Sequence, residues 1–275
     1  MQLSQFEIKR HSEKYWRVTF NNPPINLVNP ETIQELQAIV DQLEADPSIQ
    51  VVVFDSAHPD YFFARYDLKR AADTSVAPGP SGLPAWIDFT TRLSKMAAIS
   101  IALIRGRTRG GGSEFALACD MRFASMEKAV FGQPEVPAGV IPGGGAIERL
   151  PLLMGRARAL EVVIGGDDFD ADLAERYGWI NRALPDDELD DFVENLALRI
   201  STFDRTALGD AKRLLNRDSL PDNSRLQEAQ DAFFEATQRP QVALIGKKAV
   251  LTAATVGADE FESRLGYYLG RLPDI

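Results

Sequence analysis

The chain has 275 residues, 45% of them hydrophobic and 25% charged, enough apolar material to bury a sizeable interior as one large domain or as a core with an appendage. Its net charge of −10, with no basic face evident to offset it, argues against a nucleic-acid or anionic-membrane partner and leaves open an anionic ligand held by a local basic patch. Cys119 is the single cysteine, which excludes an internal disulfide and a thiolate metal cluster and fits a reducing cytoplasm. The two histidines, His11 and His58, stand outside every motif, so neither a histidine triad nor a histidine-rich zinc site is expected. No apolar run approaches the ~20 residues of a membrane span, and the first residues, M-Q-L-S-Q-F-E-I-K-R, lack the apolar core of a signal peptide.

In chain order, Phe6 to Lys9 and Tyr15 to Phe20 alternate across a turn at His11 to Lys14 and predict a hairpin, broken by Asn22-Pro23-Pro24. Asn29 or Glu31 can begin a helix through Glu44, with Ile33, Leu36, Ile39, Val40 and Leu43 at helical spacing and Asp46-Pro47 closing it. Val51 to Phe54 has the β-branched and aromatic character of a buried strand. Ala71 to Pro84 reads as a loop rich in Pro, Gly and Ser. Trp86 to Lys95 predicts a helix, and Ile99 to Ile104 another buried strand.

The most informative stretch follows: R-G-R-T-R-G-G-G-S-E-F-A-L-A-C-D, Arg105 to Asp120. A glycine-rich turn leads from the strand into a small-residue helix, Ser113 to Ala118, with Glu114 in its first turn. Gly110 to Gly112 let a ligand approach the main chain, and the unpaired amides at a helix start suit an anion or a carbonyl oxygen gaining charge. The same features also serve plain helix–sheet packing, and the dipole alone favours an acid there. G-x-G-x-x-G and G-K-[ST] are both absent, so neither a dinucleotide fingerprint nor a P-loop is present.

Met121 to Ala124 and Ala129 to Gly132 read as strands around a turn, and the second reaches Pro134-Glu135. Element lengths permit Glu135 to return near Glu114. Gly139 to Gly145 prepares a helix from Ala146 to Leu150. From Leu189 the pattern is helical: Leu189 to Thr202, Ala207 to Asn216, Arg225 to Thr237, Gln241 to Thr255 and Glu260 to Leu272. We divide the chain into an α/β core over residues 1–200 and a helical C-terminal region over residues 201–275. Phe233, Phe234, Leu244, Val250, Phe261, Tyr267 and Tyr268 make that region more apolar than a solitary tail, and packing on a neighbouring subunit is the expected outlet.

The Arg105 to Asp120 stretch, with F-G-Q-P-E at Phe131 to Glu135 and G-V-I-P-G-G-G at Gly139 to Gly145, resembles the signature of the crotonase superfamily, the enoyl-CoA hydratase/isomerase family. The resemblance covers residues 15 to 185 and extends loosely over the last third. It implies an α/β fold, a spiral of repeated ββα units with a helical C-terminal region, assembled as trimers or dimers of trimers. It implies an acyl thioester of coenzyme A as substrate, with no metal or redox cofactor. Glu114 and Glu135 become the two catalytic carboxylates, and the backbone amides of Tyr66 and Gly111 the oxyanion hole.

The segment D-Y-F-F-A-R-Y-D-L-K-R, Asp60 to Arg70, resembles the family's F-x-A-G-A-D-L. Ala64, Asp67 and Leu68 match, Arg65 stands where glycine is usual, and Tyr66 takes the donor position. A positive φ at Arg65 would carry strain of order 1–3 kcal/mol. Ala64, Tyr66, Asp67, Lys69, Gly110 and Gly111 are the expected substrate-binding residues, with Lys69 suited to a coenzyme A phosphate. Asp120 reads as a structural cap. The favoured activity is hydration of a 2-enoyl-CoA to a 3-hydroxyacyl-CoA; double-bond isomerisation, thioester hydrolysis and non-catalytic acyl-CoA binding are the alternatives.

Overall fold

A computed structural model describes residues 3–75 and 77–273, so Val76 of the expected Ala71 to Pro84 loop lies outside the described residues. The first strands, β1 (Phe6–Arg10) and β2 (Tyr15–Phe20), form the antiparallel hairpin that their alternation predicts. β2 then pairs in parallel with β3 (Val51–Ser56), β3 with β4 (Ile99–Ile104), and β4 with β6 (Met121–Ser125). With β9 (Arg182–Leu184) at the far edge, the order is β1-β2-β3-β4-β6-β9. The shorter strands β5 (Arg107–Arg109), β7 (Val130–Gly132) and β8 (Asp168–Asp170) make a second sheet.

The run V-V-V-F in β3 has no polar face because both faces of the strand are covered. Val52 and Phe54 join Phe20, Ala102 and Ile104 in the larger core, while Val51 and Val53 join Tyr15, Ile101 and Leu103 in the smaller one. Each fully buried aliphatic side chain of this kind contributes about 1.5–3 kcal/mol. Helix α1 (Pro30–Ala45) is started by Asn29, whose side chain accepts from Thr32 N at 2.9 Å while Thr32 Oγ1 accepts from Asn29 N at 3.1 Å. This reciprocal cap with Pro30 at the first helical position selects Asn29 over Glu31 as the start. The apolar stripe of α1 and helix α2 (Ala85–Lys95) cover the larger core.

Helices α3 (Gly111–Ala118), α4 (Ala146–Met154), α5 (Arg156–Gly165), α6 (Ala171–Tyr177) and α7 (Leu189–Ser201) follow. Leu189, Val193 and Ala197 of α7 close the smaller core. The C-terminal region is helical as expected: α8 (Arg205–Ser219), α9 (Asn223–Thr237), α10 (Pro240–Val256), α11 (Ala258–Ser263) and α12 (Leu265–Leu269).

Two local features depart from the sequence reading. Arg107 to Arg109, read as part of a turn, is a strand because its charges find partners on folding. The fully buried Arg109 forks onto Asp168 at 2.6 and 2.7 Å and donates to the carbonyls of Glu262 and Ser263, each at 3.0 Å. The single helix expected over Glu260 to Leu272 breaks at Arg264 (φ −126°, ψ 45°). That break lies just after the Ser263 carbonyl, which also accepts from Arg107 Nε at 2.9 Å. The apolar C-terminal residues divide accordingly: Phe261 is buried within the chain, whereas Leu244 and Val250 are exposed.

Candidate active site

The site forms where four segments meet. One is the loop after β3, held by a bridge in which Val28 N donates to Arg65 O and Asp67 N to Val28 O, both at 2.8 Å. Ala64 is buried beneath it, its carbonyl accepting from Arg109 N at 2.9 Å. The bridge uses the groups on either side of Tyr66 and leaves the Tyr66 N–H without a hydrogen-bond partner among the described residues. Asn26 is the one non-glycine residue with positive φ among them, so Arg65 replaces the usual glycine without strain. Its guanidinium turns to the C-terminal region and forks onto Glu262 at 3.0 and 2.8 Å.

The second segment is the start of α3. Gly110 adopts φ +48° and ψ −124°, and a Cβ there would lie 2.6 Å from Glu135 Oε1, so both conformation and space require glycine. Gly111 begins the helix, its N–H without an internal partner. A Cβ built on Gly111 would lie 3.5 Å from Tyr66 N, so the Tyr66 segment packs against the first residue of α3.

Glu114, one turn on and only 4% exposed, reaches the third segment at the start of α4. Its Oε1 accepts from Gly144 N at 2.7 Å and Ala146 N at 3.2 Å, and Trp86 Nε1 fixes the same loop by donating to Gly144 O at 3.1 Å. Any side chain on Gly144 would strike Glu114 Oε2 at 2.3 Å.

Glu135 follows β7 and lies over Gly110. With its amide oriented to satisfy its neighbours, Gln133 donates to both Glu135 oxygens, at 3.0 and 3.2 Å, and accepts from Ser113 Oγ at 3.1 Å. Trp179 Nε1 donates to Ser113 Oγ at 3.2 Å. A buried chain thus runs from Trp179 through Ser113 and Gln133 to the carboxyl. Burial pushes the Glu114 pKa up to about 7 against the opposing pull of its two backbone donors. Burial, reinforced by the charge of Glu114, raises Glu135 well above the usual carboxylate range. The pair titrates as a unit, and the first negative charge belongs on Glu114, which has the two amides to receive it.

Tyr66, Gly111, Glu114 and Glu135 line one cavity of about 50 Å³, together with Ile33, Thr74, Trp86, Gly143, Gly144, Gln230, Phe233 and Phe234. Tyr66 OH is hydrogen-bonded to Thr74 Oγ1. The other expected site residues do not line it: Gly110 and Ala64 lie beneath, Asp67 caps a short 3-10 turn (Leu68–Asp73) by accepting from Lys69 N at 3.1 Å, and Lys69 is exposed. Asp120 is structural, accepting from Ser100 N and from Lys212 Nζ, both at 2.7 Å. His11 stacks on Tyr15 and His58 accepts from Asp60 N, and neither lines the cavity. Cys119 is buried, its thiol pushed up to about 12 by desolvation.

Sequence reading missed Gln133, Ser113 and Trp179, although Gln133 stands inside F-G-Q-P-E and Ser113 abuts Glu114. It also missed Gln230 and assigned Phe233 and Phe234 to subunit packing, whereas both line the cavity of their own chain and Phe233 meets the Tyr66 ring edge-on at 6.2 Å. No local signal marks them, because they arrive from over a hundred residues downstream of Glu114.

Comparison with known proteins bears on the family of the chain. Residues 11–249 match the family model described as enoyl-CoA hydratase/isomerase. A probable enoyl-CoA hydratase of Mycobacterium bovis is 33% identical over 204 residues, 73% of this chain and 77% of that protein. A short-chain-enoyl-CoA hydratase of Clostridium acetobutylicum is 30% identical over 201 residues, with the same coverages of 73% and 77%. A crystal structure from Streptomyces avermitilis, of a protein provisionally named an enoyl-CoA hydratase, superposes with a TM-score of 0.92 at 42% identity, covering 100% of this chain and 99% of that one. The α/β architecture, the three ordered motifs and these relatives place the chain in the enoyl-CoA hydratase/isomerase family, the crotonase superfamily.

Proposed function

We propose that the protein is a lyase that hydrates a 2-enoyl-CoA to a 3-hydroxyacyl-CoA. The observation that carries this reading is that Glu114, Glu135, Tyr66 and Gly111 line one small cavity. With the thioester oxygen between the Tyr66 and Gly111 amides, the Glu114 carboxylate takes a proton from water and the oxygen adds to the β-carbon. The π electrons shift toward the thioester oxygen, whose growing charge meets two fixed donors that need no reorganisation. Glu135, kept protonated by its surroundings, delivers its proton to the α-carbon. Glu114 then holds a proton and Glu135 a charge, and one proton exchange restores the starting pair. No metal or redox group enters this cycle, and coenzyme A is part of the substrate. Lys69, exposed beyond Tyr66, is the residue we assign to a coenzyme A phosphate.

Loss of the conjugated-thioester absorbance of crotonyl-CoA tests the reaction directly. Turnover to 3-hydroxybutyryl-CoA supports it; tight binding without turnover replaces it with a non-catalytic role. We expect kcat/KM to rise with pH through about 7 as Glu114 ionises and to fall at higher pH as Glu135 loses its proton. A profile flat from pH 5 to 9 (about two units either side of that midpoint) contradicts the assignment.

Gln133→Leu is expected to lower kcat about tenfold by freeing the Glu135 carboxyl. It removes a donor that favours the ionised form, so the alkaline limb should also move to higher pH. An unchanged profile alongside the slower rate would assign Gln133 a merely structural part.

We further propose a homotrimer or dimer of trimers in the cytoplasm, with residues 201–275 as the trimerisation region. Exposed Leu152 and Ile164 on α4 and α5, and Leu244, Val250 and Leu251 on α10, are apolar surface that a subunit contact would cover. A light-scattering mass of one chain in solution would refute the assembly. The lone buried cysteine suits a reducing compartment, and among the described residues no helix is long and apolar enough to cross a membrane.

A further inference from the structure

The peptide between Arg65 and Tyr66 carries the N–H that the proposed reaction needs, and it is held twice. Its carbonyl accepts from Val28 N at 2.8 Å. Among the described residues the one cis bond precedes Pro24, so this peptide is trans and its N–H points away from Val28. The second hold is the Arg65 side chain. Its Nε and Nη2 donate to the two Glu262 carboxylate oxygens at 3.0 and 2.8 Å, and its Nη1 reaches the Tyr66 carbonyl at 3.4 Å.

Glu262 is a fixed anchor rather than a loose surface acid. It is 7% exposed and stands on α11 beside buried Phe261. Its backbone carbonyl accepts from Arg109 Nη1 at 3.0 Å, and the next carbonyl, of Ser263, accepts from Arg109 Nη2 at 3.0 Å and Arg107 Nε at 2.9 Å. Arg109 N in turn donates to Ala64 O at 2.9 Å. These contacts close a ring that runs from Ala64 through Arg109 to α11 and returns through the Glu262 carboxylate to Arg65. A forked pair whose acid is mostly buried is stronger and more directional than an exposed ion pair, and here it acts on the residue just before the donor.

An amide stabilises a developing oxyanion only where it already stands in place, and a displacement of about 1 Å can cost about 10²-fold in rate. Neither Arg65 nor Glu262 lines the cavity. We propose that Arg65 is a positioning residue: its fork onto Glu262 ties the peptide bearing the Tyr66 N–H to α11, so that oxyanion stabilisation depends on the docking of a C-terminal helix of the same chain. This rests on the hydratase reading for its kinetic readout.

The test uses Arg65→Met, Glu262→Met and the double variant. Each should lower kcat for crotonyl-CoA about tenfold, a part of the loss expected from deleting the donor, with KM within about twofold of the wild type. Each single variant leaves one charge unpaired and should melt lower, whereas the double variant leaves none and should melt above both. A double variant that regains stability and stays slow sustains the proposal; one whose kcat returns with its stability makes the pair merely structural and overturns it. An unchanged kcat, or a raised KM alone, overturns it too. A second readout needs no turnover: the enolate of acetoacetyl-CoA places part of its charge on the thioester oxygen, and its absorbance at fixed pH reports how well the bound form is stabilised. The bound enolate fraction should fall in all three variants. Should the wild type hydrate nothing, the hydratase reading fails, and this spectrum still decides the role of Arg65: a smaller enolate fraction in the variants sustains it, and an equal one overturns it. A wild type that does not raise the enolate fraction has no donor to position, and the proposal falls.

Discussion

Glu114→Gln and Glu135→Gln are each expected to lower kcat for enoyl-thioester hydration by about 10²–10⁴-fold, and the double variant to lose little more than the worse single one, because two groups serving one proton circuit do not contribute independently. The shapes of the sites make this a clean test. Glutamine at position 114 can still accept from Gly144 and Ala146, so the loop before α4 keeps its hydrogen bonds while the base is lost. Stability should move the other way. A carboxyl whose folded pKa is raised holds its proton in the native state at a pH where the unfolded chain has released it. Stability is therefore lost as pH rises from the usual carboxylate range through about 7 for Glu114, and further for Glu135. At pH 8 (roughly one unit above the Glu114 midpoint) each glutamine variant should melt above the wild type, and near pH 4, the unfolded carboxylate range, the gain should vanish. A variant that is both slower and less stable at pH 8 would show the acid to be structural.

The second large effect concerns the main chain. Tyr66→Pro deletes the N–H assigned to the oxyanion hole, and a kcat loss of about 10²–10³-fold is expected from removal of one such donor. That N–H takes no part in the bridge through Val28, so proline there costs no hydrogen bond of the fold. Tyr66→Phe is the comparison, since it keeps the N–H and loses only the hydroxyl that meets Thr74. If the two variants lose activity equally, the hydroxyl rather than the amide matters. Circular dichroism and melting temperature establish that the proline variant is folded before its rate is interpreted.

Much of this molecule is legible in one dimension. The hairpin, α1 with its cap, β3, β4 and α3 follow from period, capping residues and glycine placement, which act within a few neighbours along the chain. The strand at Arg107–Arg109 does not, because R-T-R is apolar to no scale. It is buried only because Asp168 and the carbonyls before Arg264 come to meet it. Whether Arg65 is strained in place of glycine likewise has no local answer. Its backbone φ is ordinary, and its side chain is drawn to Glu262, nearly two hundred residues away in sequence.

From the sequence by itself came the family resemblance, the two acids, the glycine turn and the pair of candidate amide donors, since each is carried by a short contiguous motif whose residue types the chemistry requires. What only tertiary structure decided is that these groups share a cavity, that Gly144 and Ala146 steady one acid while Gln133 steadies the other, and that α9 of the same chain lines that cavity with Phe233 and Phe234. The physical reason is desolvation. Whether a carboxyl is protonated near neutral pH depends on which distant segments exclude water from it, and no window of sequence contains them.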